Sequence, residues 1–137
     1  KFYKSVTGRA PEDDGVNIID VRGLSFKRYL EIAKLTGCKV GVITDNDEDY
    51  QKHCVEKYAD YAGDTNIGVF YDSDNTKRTF EIILYGDNAA LCDALFETDA
   101  QKYMLSNKTE AAFTLLSQNQ PIKVPDYIKR AIEWIKE

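Results

Sequence analysis

The chain has 137 residues, 43% hydrophobic and 30% charged, with 23 acidic against 18 basic side chains and a net charge of −5. That length and apolar content suit one domain with a proper core. The negative balance argues against an independent high-affinity nucleic-acid binder, which needs cationic surface to displace counterions, but does not exclude a nuclease site in which metal ions bridge acids to phosphate. No apolar run reaches membrane-spanning length, and the charged N-terminus is not a signal peptide. Cys38, Cys54 and Cys92 are widely spaced and odd in number, so they read as reduced thiols in the cytoplasm and not as a zinc set. GxxxxGK[ST] and GxGxxG loops, a recognisable Ser-His-Asp set and internal repeats are all absent.

In chain order, Lys1–Tyr3 reads as the end of a helix already under way. With no initiator Met, this suggests a fragment of a longer protein. A polar loop closes at Gly15. Val16–Val21, β-branched and mostly apolar, predicts a strand broken by Gly23. Ser25 is a good N-cap for a helix with Phe26, Tyr29, Leu30, Ala33 and Leu35 near helical spacing, stopped by Gly37. A strand over Lys39–Thr44 then completes a βαβ unit.

That strand runs into Asp45-Asn46-Asp47-Glu48-Asp49. The carboxyl end of a parallel strand is where open α/β sheets bind ligands. On extended backbone, Asp45 and Asp47 point the same way and repel unless a cation sits between them. Hard oxygen ligands suit Mg²⁺ or Mn²⁺. The alternative is that Asp45 or Asp47 caps the next helix, with Glu48 and Asp49 favoured by its dipole.

A polar helix follows over about 48–61, with Val55, Tyr58 and Ala59 on one face and His53 solvated. Asn66–Tyr71 predicts another strand, and Asp72-Ser73-Asp74-Asn75 has turn chemistry. Thr79–Tyr85 fits a fourth strand or an apolar helix start. Within it Glu81 is a carboxylate that is costly to bury unless paired or metal-bound, or else points to water. Asp87 is placed as N-cap of a helix reaching Lys102, and Asn107 as cap of another carrying Ala111, Ala112, Leu115 and Leu116. A linker from Pro121 to Pro125 leads into an amphipathic C-terminal helix with Ile128, Ala131, Ile132 and Ile135 on its apolar face.

Val21-Arg22-Gly23-Leu24-Ser25-Phe26-Lys27-Arg28-Tyr29-Leu30, Val42-Ile43-Thr44-Asp45-Asn46-Asp47, Arg78-Thr79-Phe80-Glu81, Asn107-Lys108 and Val124-Pro125-Asp126-Tyr127-Ile128 through Trp134-Ile135 occur in this order. Together they resemble the C-terminal TOPRIM domain of OLD-family (overcoming lysogenization defect) ATP-dependent endonucleases. The resemblance implies a Rossmann-like α/β fold: a mainly parallel sheet flanked by helices, with a C-terminal helical extension over 108–137, all in one domain over 1–137. It implies Mg²⁺- or Mn²⁺-dependent endonuclease activity on DNA, with Asp45 and Asp47 as the DxD pair, Glu81 as the downstream acid and Lys108 as the family's lysine. It also implies an EGxSE-like segment before Lys1, and an ABC-type ATPase that brings ATP use and homodimerisation, the fragment itself being monomeric. His53 and the tyrosines receive no catalytic role. Three alternatives stay open: another TOPRIM chemistry (primase or topoisomerase), a receiver-like regulatory module, and a non-catalytic domain with a degenerate site.

Overall fold

The structure, a computed structural model, describes residues 1–21, 26–96 and 99–137. The expected break at Gly23 and cap at Ser25 lie outside the described residues. Helices are α1 (Phe2–Thr7), α2 (Phe26–Thr36), α3 (Phe80–Asp87), α4 (Ala89–Leu95), α5 (Ala100–Ser106), α6 (Lys108–Ser117) and α7 (Asp126–Lys136). Strands β1 (Val40–Ile43) and β2 (Ile67–Phe70) pair in parallel, Val40 opposite Ile67 and Ile43 opposite Phe70. The architecture is α/β, with two strands in the sheet among the described residues.

The buried positions of β1 and β2 are Val42, Ile67 and Phe70, β-branched or aromatic, and each strand ends in polar residues that stop it. The chain between them is helical but irregular. Gln51–Val55 has π-type pitch and Glu56–Tyr61 has 3₁₀ pitch. Its inward residues are Cys54, Tyr58 and Tyr61, in place of the expected Val55–Tyr58–Ala59 face; Val55 is 37% exposed. Tyr58 and Tyr61 join Leu30 and Ala33 of α2 against Val42 and Ile67. α7 packs against both strands and α1, setting Trp134 on Phe70 at 5.6 Å between ring centroids. That approach requires glycine in the sheet. A Cβ at Gly68 would lie 2.7 Å from the Phe70 ring. A second core, with Leu84, Cys92, Phe96, Met104, Ala111 and Leu115, joins α3 to α6.

Four expectations need correction. α1 continues to Thr7 and ends at Gly8 in the left-handed conformation (φ 76°). Val16–Val21 is not a strand: it has no ladder partner among the described residues, and Ile18 and Ile19 are 77% and 58% exposed. Apolar, β-branched sequence reports a tendency to be buried; a strand also needs a neighbour for its backbone groups. The βαβ unit therefore runs from β1 through 51–61 to β2. Thr79–Tyr85 takes the helical option. Asp87 ends α3 instead of capping a longer helix, and the chain to Lys102 divides into α4 and the start of α5, where Asp99 accepts a hydrogen bond from the Lys102 amide at 3.0 Å.

Candidate metal centre

The acidic loop leaves β1 at its carboxyl end and turns at once. Asp47 and Glu48 both have positive φ (48° and 71°), so the extended geometry that aligns the two DxD side chains does not occur. Asn46 holds this conformation. Its side chain is 1% exposed. Its Nδ2 donates to the carbonyls of Asp72 (2.8 Å) and Asp74 (2.9 Å), and its Oδ1 accepts from the Glu48 amide (3.1 Å). The Asp72–Asp74 segment is the turn its sequence suggests. Asp72 Oδ1 accepts from the Asp74 amide, and Asp74 Oδ1 from the Thr76 amide and hydroxyl.

Asp49 accepts from the Lys52 amide at 3.1 Å and so caps the helical segment that follows the loop. Asp45 instead caps a helix 35 residues away: its Oδ1 accepts from the Phe80 amide, the first of α3, at 2.9 Å. This places Asp45 beside Glu81 in the first turn of α3. Glu81 Oε1 pairs with Lys108 Nζ, at the start of α6, at 3.0 Å. Glu81 Oε2 is buried without a hydrogen-bond partner among the described residues. Burial pushes the Asp45 carboxyl up to about 6; the Phe80 amide opposes this, the Glu81 and Asp47 charges add to it, and Lys108 offsets part. The four residues singled out from the sequence thus share one electrostatic neighbourhood.

Sequence reasoning missed three further residues here. Asn46 reads as turn filler between acids, yet it anchors the loop. Arg78 accepts the Asp47 amide at its carbonyl (3.3 Å) and pairs through its guanidinium with Glu48. Tyr127 is 2% exposed, and its phenol is pushed well up by burial and by the charges of Asp45, Asp72 and Glu81. The sequence pattern leaves it off the apolar face of the C-terminal helix and gives it no role. Cys54 is equally buried, and its thiol donates to the Asp45 carbonyl at 3.5 Å. Burial pushes that thiol up to about 11, which makes it a poor nucleophile.

A cleft of about 380 Å³ lies along Glu81 and Lys108, floored by Leu84, Met104 and Ala111. A larger groove, about 790 Å³, runs past Asp72, Lys77, Asp87, Lys123 and Lys129, away from Asp45 and Glu81. Its charges largely pair off, Lys123 with Asp87 at 2.6 Å and Lys77 with Asp72 at 3.8 Å, so size and chemistry point to different places. The smaller cleft is the one that holds an unpartnered carboxylate oxygen, Glu81 Oε2.

The donor set fits a hard divalent cation: carboxylate oxygens, one of them buried and unpartnered, around an aspartate that resists ionising beside its neighbours. Among the described residues no three His, Cys, Asp or Glu side chains converge closely enough to hold a metal as they stand.

The raised Asp45 carboxyl has a stability consequence. A carboxyl whose folded pKa exceeds its unfolded 3.8 stays protonated longer in the fold. Its contribution is therefore best below pH 4 and is lost as pH rises toward 6. Asp45→Asn keeps an acceptor for the Phe80 amide without the charge. In metal-free buffer it is expected to match the parent at pH 4 and to exceed it at pH 8 by about 1–2 kcal/mol after discounting for solvent screening. Urea melts at the two pH values check this, and an equal offset at both would contradict it.

The geometry defines the class first: an α/β domain with an acidic loop at the carboxyl end of a parallel strand, completed by a glutamate from a helix. Residues 1–47 match the family described as overcoming lysogenization defect protein-like, TOPRIM domain. The match includes Asp45 and Asp47 and stops before Glu81 and Lys108. It supports a metal-binding fold of the nuclease or primase type. No curated protein and no solved structure matches the chain.

Proposed function

We propose that this chain is the TOPRIM nuclease domain of an OLD-like ATP-dependent endonuclease and hydrolyses phosphodiester bonds in DNA with Mg²⁺ or Mn²⁺. The observation that carries this reading is the joining of Asp45, Glu81 and Lys108 across two sequence-remote helices, with Glu81 Oε2 buried and unpartnered. Asp45, Asp47 and Glu81 would hold the cation. When bound, it would supply Lewis acidity toward the phosphate and lower the pKa of a coordinated water.

The chain's own residues do the rest. Asp45 commits Oδ1 to the Phe80 amide, which fixes the carboxylate's orientation. Glu81 commits Oε1 to Lys108 and leaves Oε2 for a ligand. Lys108, 57% exposed, can place its ammonium against a non-bridging phosphate oxygen and stabilise charge as it develops there. Asn46 and Arg78 hold the loop through the Glu48 and Asp47 amides. ATP use and homodimerisation would belong to an ABC-type ATPase in the same protein, acting in the cytoplasm. No helix among the described residues is long and apolar enough to cross a membrane.

A second reading, a non-catalytic α/β module, is favoured by the absence of three converging ligands among the described residues. Titrating Mg²⁺ into the ¹⁵N-labelled chain separates the two. The nuclease reading expects amide shifts confined to Asp45–Asp49 and the start of α3, lost in Asp45→Ala. An unresponsive spectrum favours the non-catalytic module.

A further inference from the structure

We infer that Lys108 is a resident counter-ion of Glu81 which an incoming divalent cation displaces, so that cation affinity is set partly by competition with this chain's own ammonium group. The inference rests on the metal site proposed above and adds how that site is regulated.

Three observations carry it. Lys108 Nζ lies 3.0 Å from Glu81 Oε1, while Glu81 Oε2 is buried and unpartnered. The carboxylate is therefore only half satisfied, and its present partner is the more exposed of the two side chains, 57% against 13%. Lys108 is also the first residue of α6, where the helix dipole disfavours a positive charge. The Asn107 side chain gives no relief there: its Nδ2 donates back to the Tyr103 carbonyl at 3.2 Å. What favours a lysine at this position is the Glu81 carboxylate across the cleft. Lys108 thus offsets the Glu81 charge when no metal is held. A divalent cation that takes up Glu81 removes the reason for the contact and frees Lys108, 57% exposed and on the cleft wall, for an anionic ligand.

The test is Mn²⁺ binding, read from the free-ion electron paramagnetic resonance signal, for the parent, Lys108→Met, Lys108→Arg, Lys27→Met and Asp45→Asn. Loss of the competing ammonium is expected to tighten Mn²⁺ binding about fivefold in Lys108→Met, the order of a partly screened ion pair. Lys108→Arg should stay within about twofold of the parent. Lys27→Met, which removes an exposed charge from α2, should leave binding unchanged. In parallel, the Lys108 ammonium ¹H–¹⁵N signal should be protected in metal-free protein and lost on saturation with diamagnetic Mg²⁺. If Lys108→Met binds no more tightly than the parent, or Lys27→Met tightens binding equally, displacement is wrong; the metal site survives so long as Asp45→Asn abolishes binding. If neither the parent nor Lys108→Met binds Mn²⁺, both the displacement and the metal site are overturned.

Discussion

Replacing Asp45 and Asp47 together with alanine is expected to lower Mn²⁺-dependent cleavage of plasmid DNA by at least about 10³-fold, in this chain or in a longer protein that contains it. The fold should survive. Asp47 is exposed, and its backbone is held through its amide by the Arg78 carbonyl. Asp45 has one structural duty, accepting the Phe80 amide at the start of α3, and losing an N-cap costs about 1 kcal/mol. Against that, alanine removes a carboxylate that burial and the Glu81 and Asp47 charges disfavour in its ionised form. At pH 8 the two effects oppose each other, and the melting temperature should move by only a few degrees. A large loss of activity beside a small change in stability is the signature of residues selected for chemistry. Cleavage retained in a well-folded double variant would remove these aspartates from the catalytic set.

The parts legible in the sequence were those whose signal is local. The Val40–Ile43 run is short, apolar and bounded by polar residues, and it is β1. The Asp126–Lys136 pattern has its apolar residues at helical spacing, and it is α7, docked on the sheet. Glu81 stood out because an acid in an apolar run needs a reason. What stayed illegible were relations between distant segments. Capping rules examine the next few residues, so Asp45 read as a cap for the helical segment after it, although it caps α3. Val16–Val21 has the composition of a strand, but composition does not say whether a partner is present. The pairing of Lys108 with Glu81 depends on how α6 packs against the rest of the helical core, which no window of sequence contains. The resemblance names Asp45, Asp47, Glu81 and Lys108 together, where local rules treat each only alone.

Asn46→Ala is expected to destabilise the protein by about 3 kcal/mol, lowering the melting temperature by roughly 10 °C for a domain of this size. The buried amide of Asn46 is the tie between the acidic loop and the 72–77 turn. Alanine leaves the Asp72 and Asp74 carbonyls and the Glu48 amide, part-buried around the 1%-exposed Asn46, without their partner, and a buried group so orphaned costs about 1–3 kcal/mol. It also releases the support for two non-glycine residues at positive φ, Asp47 and Glu48, a conformation that costs about 1–2 kcal/mol per residue and persists only when its surroundings enforce it. The loop should relax toward negative φ and carry Asp47 away from Asp45. Asn46 offers no carboxylate, yet its loss should therefore weaken Mn²⁺ binding by about 10–100-fold, as removal of a group that orients ligands does. Hydrogen exchange at the Glu48 amide reports the same event directly, with protection in the parent and none in the variant. A variant that melts within a degree of the parent and keeps that protection would show that the loop is held by Arg78 and the Asp45 cap alone.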